Sequence, residues 1–220
     1  MNDNQLSSYK EELSLFQKVI KQTRTDKDKI YSLHKPFTSS IAKGKAHKQY
    51  EFGNKVGLTT TFESLIITAI KAFAGNPHDS KTIEPLLNQI KENQNIEPEE
   101  VIYDRGGKGA KKIGNTKIST PDGRPLKRDT NYQKTKKRKK FRRQAAIEPV
   151  IGHLKTDFRM QQNYLHGTDY QQINAFLAAA AAGWNLKKMM TKLKEEFLFY
   201  VFELCQKFKI LFYLNKIAHY

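Results

Sequence analysis

Apolar and polar positions alternate from Tyr50 to Leu58. Tyr50, Phe52, Val56 and Leu58 take even positions, while Glu51, Lys55 and Thr59 take odd ones. A period of two predicts a half-buried strand. Leu65 to Phe73 is instead a nearly continuous apolar run with β-branched Ile66, Ile67, Thr68 and Ile70, closed by Gly75-Asn76-Pro77. It predicts a second strand, paired antiparallel with the first. Ile83, Leu86, Leu87 and Ile90 then recur at helical spacing behind Asp79 and Ser80, either of which can cap the helix. Pro85 predicts a late start near Thr82 or a kink, because proline removes an amide donor and disturbs the preceding turn. Val101 to Tyr103 is a short strand returning to the sheet, so the order is strand, strand, helix, strand.

The flanks are read the same way. Leu6, Tyr9, Leu13, Phe16 and Ile20 are three or four apart and predict an amphipathic helix over 5–22. Residues 23–48 have no clear period and read as an exposed connection. Residues 105–143 hold little apolar matter and several turn formers, Gly114-Asn115, Pro121-Asp122-Gly123 and Pro125, which predicts a loop-rich insertion. Beyond it Ile147, Val150, Ile151, Leu154 and Phe158 share one helical face. Thr168 and Gln171 fit a capping box for an Ala-rich helix running through Trp184 to Lys194. Its small face permits close packing, and Trp184 reads as core. Phe197 to Leu214 is rich in Phe, Leu and Tyr, but Glu203, Lys207 and Lys209 interrupt it where a membrane span is unbroken. A packing helix is expected there.

Charge changes the picture. The formal net charge of +17 exceeds what solubility requires and points to a polyanion, nucleic acid first. Lys134, Lys136, Lys137, Arg138, Lys139, Lys140, Arg142 and Arg143 crowd into ten residues and can neutralise phosphates. An anionic membrane ranks below nucleic acid, because this run is nearly uninterrupted instead of lining one face of an amphipathic helix. Cys205 is the only cysteine, which excludes an internal disulfide and a cysteine zinc site and fits a reducing, intracellular location. No basic segment followed by an apolar one opens the chain, so no secretion signal is read. The six histidines have no metal-ligand spacing. Gly106-Gly107-Lys108-Gly109 lacks the Walker spacing and the following Ser or Thr, which excludes nucleotide binding.

Two carboxylates are the candidates for chemistry. Asp104 ends the run Val101-Ile102-Tyr103 and opens a loop; Glu148 sits on the helix after the basic segment. Acids delivered from separate elements around a basic stretch are what an enzyme needs to hold divalent metals against a phosphodiester. Lys155 follows Glu148 by close to two turns, roughly 10 Å along the axis, and so points the same way.

At these residues the chain resembles the DDE transposases of bacterial insertion sequences. The likeness is carried, in family order, by Lys29-Ile30-Tyr31-Ser32-Leu33-His34-Lys35-Pro36, Lys43-Gly44-Lys45, Tyr50-Glu51-Phe52-Gly53-Asn54-Lys55-Val56, Gly75-Asn76-Pro77-His78-Asp79, Asp104-Arg105-Gly106 and Ile147-Glu148-Pro149-Val150-Ile151-Gly152-His153-Leu154-Lys155. The resemblance implies an α/β fold, a partial RNase H-like mixed sheet flanked by helices with its first strand missing. It implies metal-dependent cutting and joining of transposon DNA, with Asp104 as the second acid of the triad, Glu148 as the third, and Lys155 as a DNA contact. The family sets Tyr and Arg where this chain has Phe141 and Gln144, with Arg143 the candidate replacement, and commonly a Tyr where Gly107 stands. The first acid of related enzymes lies on a strand well upstream of the segment resembling Ile30 to Pro36. Here the preceding residues read as helix and charged linker. Glu51 or Asp79 could take its place, though Glu51 lies on a different strand from the family's acid and Asp79 is more simply a helix cap.

The expectation is therefore a truncated, C-terminal portion of a transposase, inactive alone, with Mg²⁺ or Mn²⁺ poorly held. Residues 1–28 are helix and linker, 29–194 the partial catalytic domain and 195–220 an apolar C-terminal helix. The expected partner is DNA at transposon ends, through Lys155, Lys136, Lys137, Arg138, Lys139, Lys140, Arg142 and Arg143, in the bacterial cytoplasm at the nucleoid. Self-association or association with a full-length transposase is a further expectation, and no membrane is involved. The alternative is a non-catalytic DNA-binding remnant that occupies element ends or associates with intact transposase. A missing strand also predicts an open sheet edge and poor solubility.

Overall fold

The computed structural model describes residues 7–45, 48–104, 109, 111–121, 128–165 and 170–218. Gly107, the Asp122-Gly123 turn and the Thr168 cap lie outside the described residues. In chain order the elements are α1 (Lys10–Lys21), β1 (Ser39–Lys45), β2 (Lys48–Gly53), β3 (Lys55–Thr60), β4 (Ile67–Phe73), α2 (Ser80–Gln94), β5 (Glu100–Ile102), β6 (Lys112–Ile113), β7 (Thr116–Ser119), α3 (Asn131–Arg142), a 3₁₀ turn (Arg143–Ala146), α4 (Ile147–Thr156) and α5 (Tyr170–Ala218). The class is mixed α/β. The strands form three small sheets, β1-β2, β3-β4 and β5-β7-β6, and the third is itself mixed, β5 parallel and β6 antiparallel to β7.

β4 is the centre of the packing. One face carries Ile67, Ile70 and Ala72 into a core with Val150 and Leu154 of α4 and Ile173, Leu177, Ala180, Ala181 and Trp184 of α5. Ala69 faces the other way, into a core with Ile83, Leu86, Leu87 and Ile90 of α2 and Ile118 of β7. Strict alternation would put Ile67 with Ala69. A register shift against β3, with Thr59 opposite Ala69 but Thr60 opposite Ile67, leaves Thr68 as the extra residue and turns Ile67 to the α5 side. Helices on both faces explain why this strand reads as a continuous apolar run.

The second edge of β4 is closed by side-chain amides. Asn174 Oδ1 accepts from the Ala72 amide at 2.9 Å, and Asn185 exchanges two hydrogen bonds with the Ile67 backbone at 2.7 and 2.9 Å. Gln89 Oε1 accepts from the Ile70 amide at 3.1 Å, and Gln94 Nε2 donates to the Thr68 carbonyl at 3.0 Å. Each satisfied backbone group adds on the order of 1 kcal/mol, and together they blunt an edge otherwise open to aggregation.

Several expectations change. The even-odd segment 50–58 is two strands, not one: the chain leaves the β1-β2 sheet at Gly53 and enters the β3-β4 sheet at Lys55. Tyr50 and Phe52 consequently lie exposed on a two-stranded ribbon, with the Tyr31 ring against Phe52. The connection 23–48 contains β1. In α1 no residue is buried, and Phe16 and Ile20 face solvent. α2 starts at Ser80 with Pro85 inside it. Asp79 holds the N-cap position without a side-chain capping bond and pairs with Lys55 instead. The insertion is more ordered than its composition suggests: β6 and β7 form a tight hairpin through Gly114-Asn115, with Gly114 at φ +56°, and the basic run is a helix. Ile151 is exposed, unlike Val150 and Leu154. The packing helix expected from Phe197 continues α5 and has no cover among the described residues.

The exit of α4 is fastened to α5. Asp157 accepts hydrogen bonds from Lys187 Nζ at 3.1 Å, Thr156 Oγ1 at 2.9 Å and His153 Nδ1 at 2.9 Å. Lys187 first, then Thr156 and His153, hold its carboxyl at about 2, below the ordinary 3.8. The unfolded chain thus takes up this proton before the folded one does. The contribution of Asp157 is present above the ordinary value and is lost as pH falls from about 4 towards 2. We predict that Asp157→Asn removes part of the loss of stability across that window, measured as unfolding midpoint against pH; an unchanged profile would count against the network.

Candidate functional site

Asp104 lies two residues beyond the end of β5, after Tyr103, and its side chain is exposed. Glu148 lies in the first turn of α4, also exposed, and Lys155 lies in its last turn on the solvent side. The elements carrying the two acids are tied together through α3. Thr130 and Gln133 form a full capping box at its start, and Lys140 near its end donates to Glu100 Oε1 on β5, with Ser119 of β7 joining the same carboxylate. Lys140, then Ser119, lower the Glu100 pKa. Asp104 stands four residues beyond Glu100, at most about 13 Å of extended chain. Glu148 stands eight residues beyond Lys140, across the 3₁₀ turn Arg143–Ala146.

The cations of the basic run divide into paired and exposed ones. Lys137 pairs with Asp129 at 2.9 Å, Lys140 with Glu100, and Arg143 reaches back to the β3-β4 turn, Nε donating to the Phe62 carbonyl at 2.8 Å and a terminal nitrogen to that of Glu63. Lys136, Arg138, Lys139 and Arg142 are exposed. Arg138 and Arg142 also line a cavity of about 530 Å³ with Lys134, Thr135, Lys137, Asp129, Phe141 and Pro121. A second cleft, about 220 Å³, gathers Lys155, Thr156, Arg159, Gln161, Gln162 and Tyr164. Arg159, left-handed at φ +57°, was not singled out from the sequence, and helical spacing from Lys155 does not reach it because α4 ends at Thr156.

The chain matches the family described as Transposase DDE domain over residues 18–184, well over half its length. It belongs to that family. No curated protein and no solved structure matches it. As a member of the transposase DDE domain family the chain is a transposase, of a family that acts on DNA with divalent metal ions. Asp104 and Glu148 offer the hard oxygen donors such ions take. Among the described residues, however, no group of three or more His, Cys, Asp or Glu could hold a metal. The donors therefore fit in kind but fall short in number. Neither proposed substitute for the first acid joins them in such a group: Glu51 lies on β2, in the separate two-stranded sheet, and Asp79 is paired with Lys55. Among the described residues no helix is long and apolar enough to cross a membrane.

Proposed function

We propose that this chain is an incomplete catalytic portion of a bacterial insertion-sequence transposase, with Asp104 and Glu148 as two of the acids that hold Mg²⁺ or Mn²⁺. The complete assembly would carry out metal-dependent phosphodiester cleavage and strand transfer. Lys155 and the exposed cations of α3 grip the DNA of the element ends, in the cytoplasm at the nucleoid. The supporting observation is the Lys140–Glu100 tie, which fastens the basic helix to the strand that leads to Asp104, while Glu148 opens the helix that follows. A phosphate track held between two acids is the arrangement phosphodiester chemistry needs.

With only two acids proposed for the site, the chain alone is expected to bind element-end DNA and leave it uncut in Mg²⁺ or Mn²⁺. Asp104→Ala and Glu148→Ala are expected to keep both affinity and salt slope, since neither acid contacts phosphate favourably without metal. Robust nicking by the purified chain would overturn the incompleteness. If that nicking survived both substitutions, the assignment of the acids would fall as well.

That no cluster of three metal-ligating side chains forms among the described residues favours a second reading. In it the chain is a non-catalytic remnant that occupies element ends or pairs with intact transposase. Added to an active transposase, such a remnant lowers cleavage, and its Glu148→Ala variant does so equally. A loss of inhibition in that variant would point back to a catalytic contribution.

A further inference from the structure

Among the described residues two polar side chains are buried outright, Thr82 at 1% exposed and Thr116 at 4%. Each stands at one end of the strand that leads to Asp104. Thr116 of β7 donates to the Pro98 carbonyl at 2.7 Å, ahead of β5. Thr82, in the first turn of α2, meets the Tyr103 hydroxyl at 2.9 Å, just past the end of β5. An apolar side chain would fill either place without the cost of burying a hydroxyl, which a hydrogen bond has to offset. Packing alone therefore does not account for threonine at these two positions.

The surroundings of Thr82 fix which hydroxyl donates. Its Oγ1 also lies 2.7 Å from the Asp79 carbonyl, which can only accept. A hydroxyl has one proton to give. Thr82 thus donates to Asp79, and Tyr103 donates to Thr82. The chain of contacts continues to β3, where Lys55 pairs with the Asp79 carboxylate and donates to the Pro77 carbonyl at 2.6 Å. On its other side the Tyr103 amide donates to the Ser119 carbonyl at 2.9 Å, one residue past the β5-β7 ladder. Tyr103 is held by both main chain and side chain, and the next residue is Asp104.

Among the described residues no ladder joins β5 to β4. The place of Asp104 relative to Glu148 is instead set across two cores that meet at β4. Val150 and Leu154 of α4, the helix that Glu148 opens, pack on one face of β4. α2 packs on the other through Ala69, and Tyr103 rests against that second core. Apolar contact is non-directional and leaves a strand free to slide. A hydroxyl pair at hydrogen-bond distance fixes one position, and metal acids need to be held to within about 0.5 Å.

We propose that Tyr103 and Thr82 are positioning residues for Asp104, their hydroxyl pair fixing the exit of β5 so that its carboxylate stays aligned with that of Glu148. Their role rests on the reading of Asp104 and Glu148 as metal acids. The probe is Fe²⁺ with ascorbate and peroxide, iron standing in for Mg²⁺ or Mn²⁺ and cutting the backbone beside the side chains that hold it. The full chain is expected to be cut near 104 and near 148. Thr82→Val keeps the volume and loses the hydroxyl, and Tyr103→Phe keeps the ring; each is expected to raise the iron concentration for half-maximal cutting about tenfold. Thr82→Ser keeps the hydroxyl, while Thr116→Val breaks the tie at the far end of β5, six residues or roughly 20 Å of strand from Asp104. Both are expected to lower the unfolding midpoint and still be cut as wild type is. Wild-type iron dependence in Thr82→Val and Tyr103→Phe, or an equal shift in Thr82→Ser and Thr116→Val, overturns the positioning role and leaves the acids in place. A wild-type chain with neither cut removes the acids themselves, and that result is in hand before any variant is made.

Discussion

Replacing Lys136, Arg138, Lys139 and Arg142 together by Gln is expected to lower DNA affinity about a thousandfold at 0.15 M salt and to flatten the slope of log affinity against log salt by about 3.6, since each phosphate contact contributes about 0.9. These four side chains are exposed on α3. Lys137, Lys140 and Arg143, from the same run, are engaged with Asp129, Glu100 and the Phe62 and Glu63 carbonyls. Replacing those three by Gln removes internal ties. The expected effect is a slope change of less than one per residue, with a lower unfolding midpoint arising mainly from Arg143, because partly exposed ion pairs are worth only about 0–1 kcal/mol each. Affinity measured at four or five salt concentrations separates the two sets. Equal slope changes per residue in both would show that the division of these cations into DNA-contacting and internally paired ones is wrong.

That division also shows what periodicity can carry. Ten residues crowded with Lys and Arg have no apolar repeat, so a hydrophobic pattern gives no helix there; the Thr130-x-x-Gln133 capping box, a purely local device, was the readable sign. The order of β3, β4, α2 and β5 was legible because β4, α2 and β5 bury their apolar residues around shared cores, and burial is what hydrophobic spacing reports; the expected return of the last strand to the same sheet does not occur, since β5 pairs with β7 in a separate sheet. β1 and β2 were misread for the converse reason: they pair as a ribbon with little core, so Tyr50 and Phe52 alternate without being buried. β7 was missed because one buried residue pair, Thr116 and Ile118, is too short a pattern to stand out in a polar insertion.

The candidate site divides along the same line. Asp104 and Glu148 sit at the ends of regular elements, as their flanking apolar runs imply, yet nothing local to either residue says which cations of the intervening run turn outwards. That depends on Asp129 just before the helix and on Glu100 and two backbone carbonyls far away in sequence. Arg159 illustrates the limit from the other side. Its place beside Lys155 depends on a left-handed turn closed by a bond from the Met160 amide to the Leu154 carbonyl, and no spacing rule anticipates a turn of that kind outside glycine.

Trp184→Ala is expected to be the most destabilising single substitution, costing about 3–5 kcal/mol for the emptied volume. A further 1–3 kcal/mol is expected from the carbonyl it orphans. The indole is 6% exposed between α5 and β4, and its Nε1 donates to the Leu65 carbonyl at 2.9 Å. Leu65 is itself left-handed, φ +57°, at the entry to β4, so the indole holds a backbone turn in a conformation that leucine seldom adopts. Against a net stability of about 5–15 kcal/mol, such a loss leaves the domain marginal or unfolded at room temperature. Trp184→Phe keeps most of the apolar contact and removes only the donor, so it should show the smaller loss alone. The consequence reaches the site, because the same β3-β4 turn receives Arg143 through Phe62 and Glu63, and Arg143 opens the 3₁₀ turn that leads into the helix carrying Glu148. Chemical unfolding followed by circular dichroism measures both variants. If Trp184→Ala unfolds at the wild-type midpoint, α5 is not the lid of this core, and the path from indole to Glu148 does not exist.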